Sequence, residues 1–171
     1  DLITLGKYLG GGVSFGGFGG RSDIMEGFNP RSKDAWRHAG TFNNNIMTMT
    51  AGLAGITQLF TPEACIELNK KGDVFRARLN KTIQERSLPI QVTGLGSMNN
   101  VHFTDVPMER PHTDPISSRK GDLMHLDMLK SGVYLARRGM MNLSLPMTDT
   151  DIDFAVSAFE EFLDSRRAIL K

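Results

Sequence analysis

One lysine near the start of the chain stands where glycine is most concentrated. Lys7 follows the short apolar run 2–5, and eight of the eighteen glycines lie within the first 21 residues. Glycine reaches positive φ angles and lets a backbone approach a ligand closely. A lysine amine attacks carbonyl carbons once a pocket lowers its pKa. The pattern favours carbonyl chemistry at Lys7, against the commoner case of a solvated lysine beside a flexible loop.

Two nucleotide-binding motifs are alternatives for this glycine-rich segment. A P-loop needs Ser or Thr after its Gly-Lys pair, and Tyr8 stands there instead. A dinucleotide fingerprint needs a tight first pair of glycines followed directly by a helix. Here the spacing from Gly12 to Gly16 is wider, and the next helical pattern begins near Ser22. A nucleotide-binding domain therefore stays an alternative that neither motif supports.

Bulk composition excludes several classes of protein. The 171 residues are 40% hydrophobic and 23% charged, which is ordinary for a globular domain. A net charge of +1 gives no reason to expect nucleic acid or a membrane surface as a partner. The single cysteine, Cys65, fits a reducing compartment and is expected to be a buried structural thiol, so we expect a cytoplasmic protein.

Metal binding has two candidate patterns, and neither matches a known site. The four histidines share no spacing typical of metal ligands; they are His38, His102, His112 and His125. The acidic run Asp149, Asp151 and Asp153 resembles the start of a calcium loop, but no glycine turn and distal glutamate follow. We expect no metal, and we interpret the acidic run as helix-capping charge.

Periodicity and turn residues predict an alternation of strands and helices. Strands are predicted at residues 2–5, 15–21, 90–92, 98–103, 133–136 and 141–145. Helices are predicted at 23–27 with Ser22 as cap, after a cap at Asn43 or Asn44, from Pro62 to about Arg86, at 122–131, and after Thr148. Residues 105–118 are predicted to form a loop. In the long helix, Leu68, Val74, Leu79 and Ile83 are predicted to share the apolar side, and Gly72 to weaken it.

These elements indicate an α/β chain in two regions. Residues 1–60 are expected to form the edge of a larger mixed-sheet domain with several ligand-facing turns. Residues 61–171 are expected to form a compact α+β unit with its own core. Because the chain opens with Asp1 inside a predicted strand, we expect it to be a fragment of a longer polypeptide.

Two segments in this order resemble a known family. The segment from Gly6 to Arg21, with Gly40-Thr41-Phe-Asn-Asn-Asn about 35 residues after the lysine, resembles the class III aminotransferases, which are fold-type-I pyridoxal-phosphate enzymes. The nearest resemblance is to glutamate-1-semialdehyde aminomutase and its transaminase relatives, and it extends to Asp153. It implies the C-terminal part of a pyridoxal-phosphate transferase fold, namely the edge of the large domain and the small C-terminal domain.

The resemblance also implies roles for two residues. Lys7 corresponds to the lysine that forms the Schiff base with pyridoxal 5′-phosphate and then carries the substrate Cα proton. Thr41 corresponds to the threonine that binds the cofactor phosphate, typically in the neighbouring subunit of a homodimer; from the residues alone it is a helix-cap threonine. The implied substrates are a small amino-group donor and a carbonyl acceptor, for transamination or internal amino transfer.

The chain departs from the family pattern at two positions. Ile46 stands where members usually have proline, and Asn142 stands where transaminases that hold an α-carboxylate often have arginine. Arg137 or Arg138 is then the alternative cation, although surface arginines are usually solvated.

Three further active-site groups of the family are expected upstream of Asp1. They are the aspartate for the pyridine nitrogen, the ring-stacking aromatic and the first phosphate-binding turn. We therefore expect the chain alone to be inactive. The alternative to the enzyme interpretation is a non-catalytic fragment that only folds or associates.

Overall fold

The computed structural model describes residues 1–109 and 115–171, so His112 lies outside the described residues. The chain divides into two compact units, Asp1–Ala64 and Cys65–Lys171, and each is described by itself. Within the described residues, every helix is too short or too polar to span a bilayer.

The first unit opens with a β-hairpin around the lysine. Strand β1 (Leu2–Leu5) pairs antiparallel with β2 (Gly17–Gly20), and a 3-10 helix, Lys7–Gly10, lies between them. The second strand is shorter than the predicted 15–21. A side chain at Gly20, where φ is +154°, would overlap the Asp1 carbonyl oxygen. Glycine is therefore required where the two backbones pass this closely.

Two short helical segments follow, and neither predicted cap in this region is correct. Helix α1 (Ser22–Met25) has Arg21 at the cap position without a side-chain bond, so Ser22 lies in the first turn, not at the cap. Helix α2 (Ile46–Ala54) is capped by Asn45, whose side chain accepts a 3.3 Å hydrogen bond from the Thr48 amide. Neither Asn43 nor Asn44 caps it, because both belong to the preceding turn, in which Asn44 has a φ of 55°. A 3-10 turn, Glu26–Phe28, follows α1, and a π-helical turn, Gly55–Leu59, follows α2.

Helix α3 (Pro62–Glu85) begins as its sequence predicts. The Thr61 hydroxyl accepts a 3.2 Å bond from the Ala64 amide, and Pro62 occupies the first position. Its buried side includes Leu68, Leu79 and Ile83 as predicted, but Phe75 replaces Val74, which is 60% exposed. Helical spacing places residue 75 on the line from 68 to 79, and residue 74 lies off it.

A three-stranded antiparallel sheet packs against this helix in the order β3–β4–β5. Its strands are β3 (Gln91–Leu95), β4 (Met98–His102) and β5 (Met140–Asn142). Asn80 of α3 bonds both backbone groups of Val92, each at 2.9 Å. A side chain at Gly72 would overlap the Gly96 backbone, so Gly72 lets the β3–β4 turn approach α3 closely.

Residues 133–136 were predicted to form a strand, and this is wrong. The Val133 amide bonds the Met128 carbonyl at 2.8 Å, which holds the start of the segment to the preceding helix. The Gly139 amide then bonds the Ala136 carbonyl at 2.8 Å, which closes a turn through the two arginines. Of the two strands predicted in this part of the chain, only the second joins the sheet. It is β5, which spans three residues rather than the predicted 141–145.

The remaining helices complete the core of the second unit. Helix α4 (Pro115–Lys130) begins well before the predicted residue 122, inside the predicted 105–118 loop. Helix α5 (Asp149–Ser165) has the predicted cap, a reciprocal capping box between Thr148 and Asp151, and α6 (Arg167–Leu170) ends the fold. Side chains from α3, α4, α5 and the sheet form one apolar cluster, which includes Leu79, Ile83, Val101, Met124, Met128, Ile152, Val156, Phe159 and Leu163.

Candidate functional site

Lys7 begins the 3-10 helix at the end of β1 and carries a free amine. Its side chain is exposed, and Nζ has no hydrogen bond or ion pair with any described residue. The Leu9 amide bonds the Gly6 carbonyl at 3.0 Å, which fixes the turn around the lysine. Left-handed Gly11 and Gly12, with φ of 59° and 91°, then reverse the chain. A primary amine without a carboxylate partner is available to a carbonyl group.

The chain that follows Lys7 lies directly against α2. A side chain at Gly52 would overlap the Leu9 carbonyl oxygen, and one at Gly11 would overlap the Ala51 carbonyl. The Thr48 hydroxyl donates a 3.2 Å hydrogen bond to the Ser14 carbonyl. Helix α2 therefore supports the lysine turn through contacts between backbones.

Thr41 lies in the turn that leads into α2, in the same unit as Lys7. The Asn43 amide bonds the Gly40 carbonyl at 3.0 Å, and the Thr41 hydroxyl is exposed without a hydrogen-bond partner among the described residues. The amides of Ile46 and Met47, in the first turn of α2, likewise have no acceptor there. A hydroxyl and backbone amides that have no partner among the described residues suit an anionic oxygen such as that of a phosphate. No hydrogen bond joins the side chains of Lys7 and Thr41.

The second unit contains the residues considered for carboxylate binding. Asn142 is exposed at the end of β5, opposite Met98. Arg137 forms an ion pair with Asp122 at 2.8 Å. Arg138 contacts the Met140 sulfur at 2.8 Å and has no carboxylate partner among the described residues. The two predicted alternatives therefore differ: Arg137 already has a carboxylate partner, and Arg138 has none within residues 1–109 and 115–171.

Both arginines line a cavity of about 750 Å³, which no sequence pattern predicted. His102 lies in its wall, with Nε2 2.8 Å from the Thr93 hydroxyl, and burial lowers the pKa of the imidazole below its usual value. The side-chain oxygen of Asn100 is also buried there without a partner. Residues 100 and 102 lie on the same face of β4 because side chains alternate along a strand. This alternation is the sequence pattern from which their proximity could have been predicted.

The candidate metal ligands, Cys65 and the acidic run of α5 are next. Among the described residues, no group of three His, Cys, Asp or Glu side chains is placed to hold a metal ion. Cys65 is half-buried rather than buried, with its sulfur 3.6 Å from the Asn69 amide nitrogen. Asp151 caps α5, and the flanking Asp149 and Asp153 pair with Lys71 and Arg78.

Comparison with solved structures defines the class of fold. The chain superposes with a TM-score of 0.92 on a beta-phenylalanine aminotransferase from Variovorax paradoxus, at 45% identity, covering 99% of this chain and 40% of that one. It superposes with a TM-score of 0.85 on a transaminase with pyridoxal phosphate bound, at 26% identity over 99% of this chain and 39% of that one. The fold is that of part of a pyridoxal-phosphate transaminase, as the resemblance implied.

The chain belongs to the class-III aminotransferase family, whose sequence profile matches residues 1–163. It is 46% identical to a beta-phenylalanine transaminase from Variovorax paradoxus over 99% of this chain. It is 35% identical over 94% of its length to a glutamate-1-semialdehyde 2,1-aminomutase from Heliobacterium modesticaldum. The family prediction is confirmed, and of these two relatives the transaminase is the more similar. The chain spans 39% and 37% of their lengths, respectively.

The cofactor of this family is pyridoxal 5′-phosphate, as predicted. The described residues fit two parts of that molecule. The unpaired amine of Lys7 suits its aldehyde, and the free hydroxyl of Thr41 with the free amides of α2 suits its phosphate.

Proposed function

We propose that the protein containing this chain is a pyridoxal-phosphate-dependent aminotransferase in which Lys7 holds the cofactor covalently. The observation that carries the proposal is the unpaired amine of Lys7, presented by a fixed turn at a strand end in a chain of this family. The cofactor, when bound, supplies an electron sink for the bond that breaks at the amine-bearing carbon of the substrate.

Lys7 has two tasks in this proposal. Its amine would hold the cofactor at one depth through a covalent bond to the aldehyde carbon. With substrate bound, the same amine would accept and return the proton of the substrate carbon that bears the amino group. Both tasks need a lysine that forms no ion pair and whose backbone is held firmly, and both features support the assignment.

Thr41 binds the cofactor phosphate in this proposal. Its hydroxyl and the amides of Ile46 and Met47 supply donors without added positive charge. As the family resemblance implies, we assign Thr41 to the site of the neighbouring subunit in a homodimer. Residues 1–60 are then the end of the large cofactor-binding domain and 61–171 the small C-terminal domain, in a cytoplasmic enzyme.

The substrate class is inferred from Asn142 and Arg138. A neutral amide cannot form the bidentate, charge-assisted pair by which arginine selects an α-carboxylate. We therefore propose β-amino acids, amino-aldehydes or amines as donors, and the 46% identity to a beta-phenylalanine transaminase favours β-amino acids and net transamination over internal amino transfer. We propose Arg138 as the cation for a donor carboxylate, because Arg137 is paired with Asp122 and Arg138 has no carboxylate partner among the described residues.

A substrate panel on the full-length enzyme tests this inference. We expect kcat/KM to be highest for β-amino acids or amines. Arg138→Ala should lower kcat/KM for carboxylate-bearing donors by about tenfold to a hundredfold, the value of a charged hydrogen bond. Arg137→Ala is the matched control and should change it little. Highest activity on common α-amino acids, retained when both arginines are alanine, contradicts the inference.

The rival proposals make different predictions for one labelling experiment. Borohydride reduction of the full-length protein, followed by peptide mapping, should place a phosphopyridoxyl group on Lys7. A label on another lysine overturns the assignment, and a colourless protein without label supports a non-catalytic chain. Nucleotide binding that survives loss of Lys7 would favour the nucleotide-binding alternative.

A further inference from the structure

Helix α2 has only two buried residues among its nine, and both contact the chain that follows Lys7. They are Thr48 and Gly52. Its large apolar side chains point elsewhere and are exposed; Ile46 is 80% exposed, Met47 73% and Leu53 62%. In this unit, α2 is therefore held by what these two small residues contact, and side-chain packing contributes little.

Gly52 allows contact between two backbones. The Leu9 carbonyl, two residues after the lysine, occupies the space that any side chain at position 52 would fill. The obstructing atom belongs to the backbone, so it cannot rotate away as a side chain does. A methyl group at position 52 must push the Lys7 turn away from α2.

Thr48 holds the same turn from its other end. Its hydroxyl donates to the Ser14 carbonyl at 3.2 Å, although Thr48 itself is only 5% exposed. Between the two attachment points, a side chain at Gly11 would overlap the carbonyl oxygen of Ala51 in α2. The chain from residue 9 to residue 14 is thus held to α2 at both ends.

We propose that Gly52 and Thr48 are positioning residues that hold the Lys7 turn at a fixed distance from α2 and so set where the lysine amine meets the cofactor. This proposal rests on the proposed role of Lys7. The covalent bond forms only if the amine reaches the aldehyde carbon at bonding distance, and an error of about 1 Å can cost a hundredfold in rate. Displacement of the turn should therefore impair attachment more than it impairs cofactor binding.

The chain offers a matched pair of glycines to test this. Both Gly52 and Gly55 have negative φ in a helical segment, but a side chain at Gly55 would meet only the Gly11 Cα at 3.5 Å, an ordinary contact. In the full-length protein, Gly52→Ala should lower the rate of covalent attachment by about tenfold or more. Gly55→Ala should match wild type. The measurement is the borohydride-trapped label on Lys7 per molecule of bound cofactor, followed in time after cofactor is added to apoprotein.

A second set of variants covers the case in which Gly52→Ala does not fold. Thr48→Val removes the hydroxyl without changing the shape of the side chain, and Thr48→Ser restores the hydroxyl. Thr57→Val is the control, because its hydroxyl bonds the Leu53 carbonyl within its own helical segment. We expect slower labelling in Thr48→Val alone, with recovery in Thr48→Ser.

The outcomes separate this proposal from the function on which it rests. Absence of label on Lys7 in the wild-type protein overturns the proposed function. Label on Lys7 in wild type, with equal attachment rates in Gly52→Ala and Gly55→Ala, overturns only the positioning role. Equal rates in Thr48→Val and Thr57→Val do the same.

Discussion

The two units of the chain are stabilised in different ways. Every buried hydrophobic side chain of the described residues lies in the second unit, from Leu68 to Leu170. Among the residues of the first unit whose burial is described, the buried ones are Gly10, Thr48 and Gly52. The second unit therefore has a buried apolar core of its own. The first is held by contacts between backbones around α2 and by a cluster of aromatic rings, Phe18, Phe28, Trp36 and His38. Lys7 and Thr41, the residues proposed to act on the cofactor, lie in the first unit and outside this core. Mutations at these two residues should therefore change catalysis or cofactor binding without a large change in the free energy of unfolding.

The largest change in activity is expected from substitution of Lys7. Lys7→Ala in the full-length enzyme should leave folding nearly unchanged, because an exposed, unpaired side chain contributes little to packing. Turnover should fall by several orders of magnitude, since both the covalent attachment and the proton carrier are lost. Steady-state kinetics and thermal unfolding of the same preparations measure both quantities. Full activity in Lys7→Ala would remove the lysine from the mechanism.

The converse is expected at Phe159, which is fully buried in the core of the second unit. Phe159→Ala should lower the free energy of unfolding by about 3–5 kcal/mol. Phe42 in the first unit is 86% exposed, and Phe42→Ala should change it by less than about 0.5 kcal/mol. Denaturant titration of both variants decides the matter. Similar losses at the two sites would show that the first unit depends on side-chain packing after all.

A smaller effect is expected at Thr41. Thr41→Ala should weaken cofactor binding by about 1.5–3 kcal/mol, the value of a hydrogen bond to a charged group, with little change in turnover at saturating cofactor. Titration of apoprotein with pyridoxal phosphate measures the affinity. Thr41→Ser, which keeps the hydroxyl, should bind like wild type. Unchanged affinity in Thr41→Ala would leave the threonine as a turn residue only.

The smallest effect is expected from an ion pair of the second unit. Arg166 bonds both carboxylate oxygens of Asp127, at 2.7 and 3.0 Å, and this bonding lowers the pKa of Asp127 below its ordinary value. A depressed carboxyl pKa stabilises the fold above the unfolded pKa, near 4, and that stabilisation is lost as pH falls through the folded value. Asp127→Asn should therefore be less stable than wild type at pH 7, and the difference should vanish in strong acid. A constant difference from pH 7 to pH 2 would contradict this origin.

Local sequence motifs predicted the fold where the determining contacts are themselves local. The caps at Thr61 and Thr148 lie within three residues of the amides that they bind, and the predicted helix starts at Pro62 and after Thr148 are confirmed. Before α2, three consecutive asparagines are equally suitable caps, and the sequence does not distinguish them. The cap is Asn45, because Asn44 takes a left-handed conformation in the turn. Propensity cannot tell these asparagines apart.

Where tertiary contacts decide, the sequence was a poor guide. Residues 133–136 have the composition of a strand, but the bond from the Val133 amide to Met128 ties them to the end of α4. The contact between Gly52 and Leu9 was also not predicted, because no local pattern connects two residues that lie this far apart in the chain. At the candidate site, the sequence named Lys7 and Thr41 through a family resemblance. The cavity with His102 could not be predicted in this way, because its lining residues come from separate segments that meet only in the folded sheet.

The bonds between Asn80 and Val92 have a consequence for the order in which the second unit folds. They close a loop of only twelve residues, and the close approach of Gly72 to Gly96 joins the same helix and hairpin. Short loops cost little entropy to close, so contacts of this kind form early. We expect α3 and the β3–β4 hairpin to assemble first, as a template to which β5 and α5 add later from more distant parts of the chain. A destabilising substitution at Asn80 would then slow folding, whereas one in α5 would mainly speed unfolding.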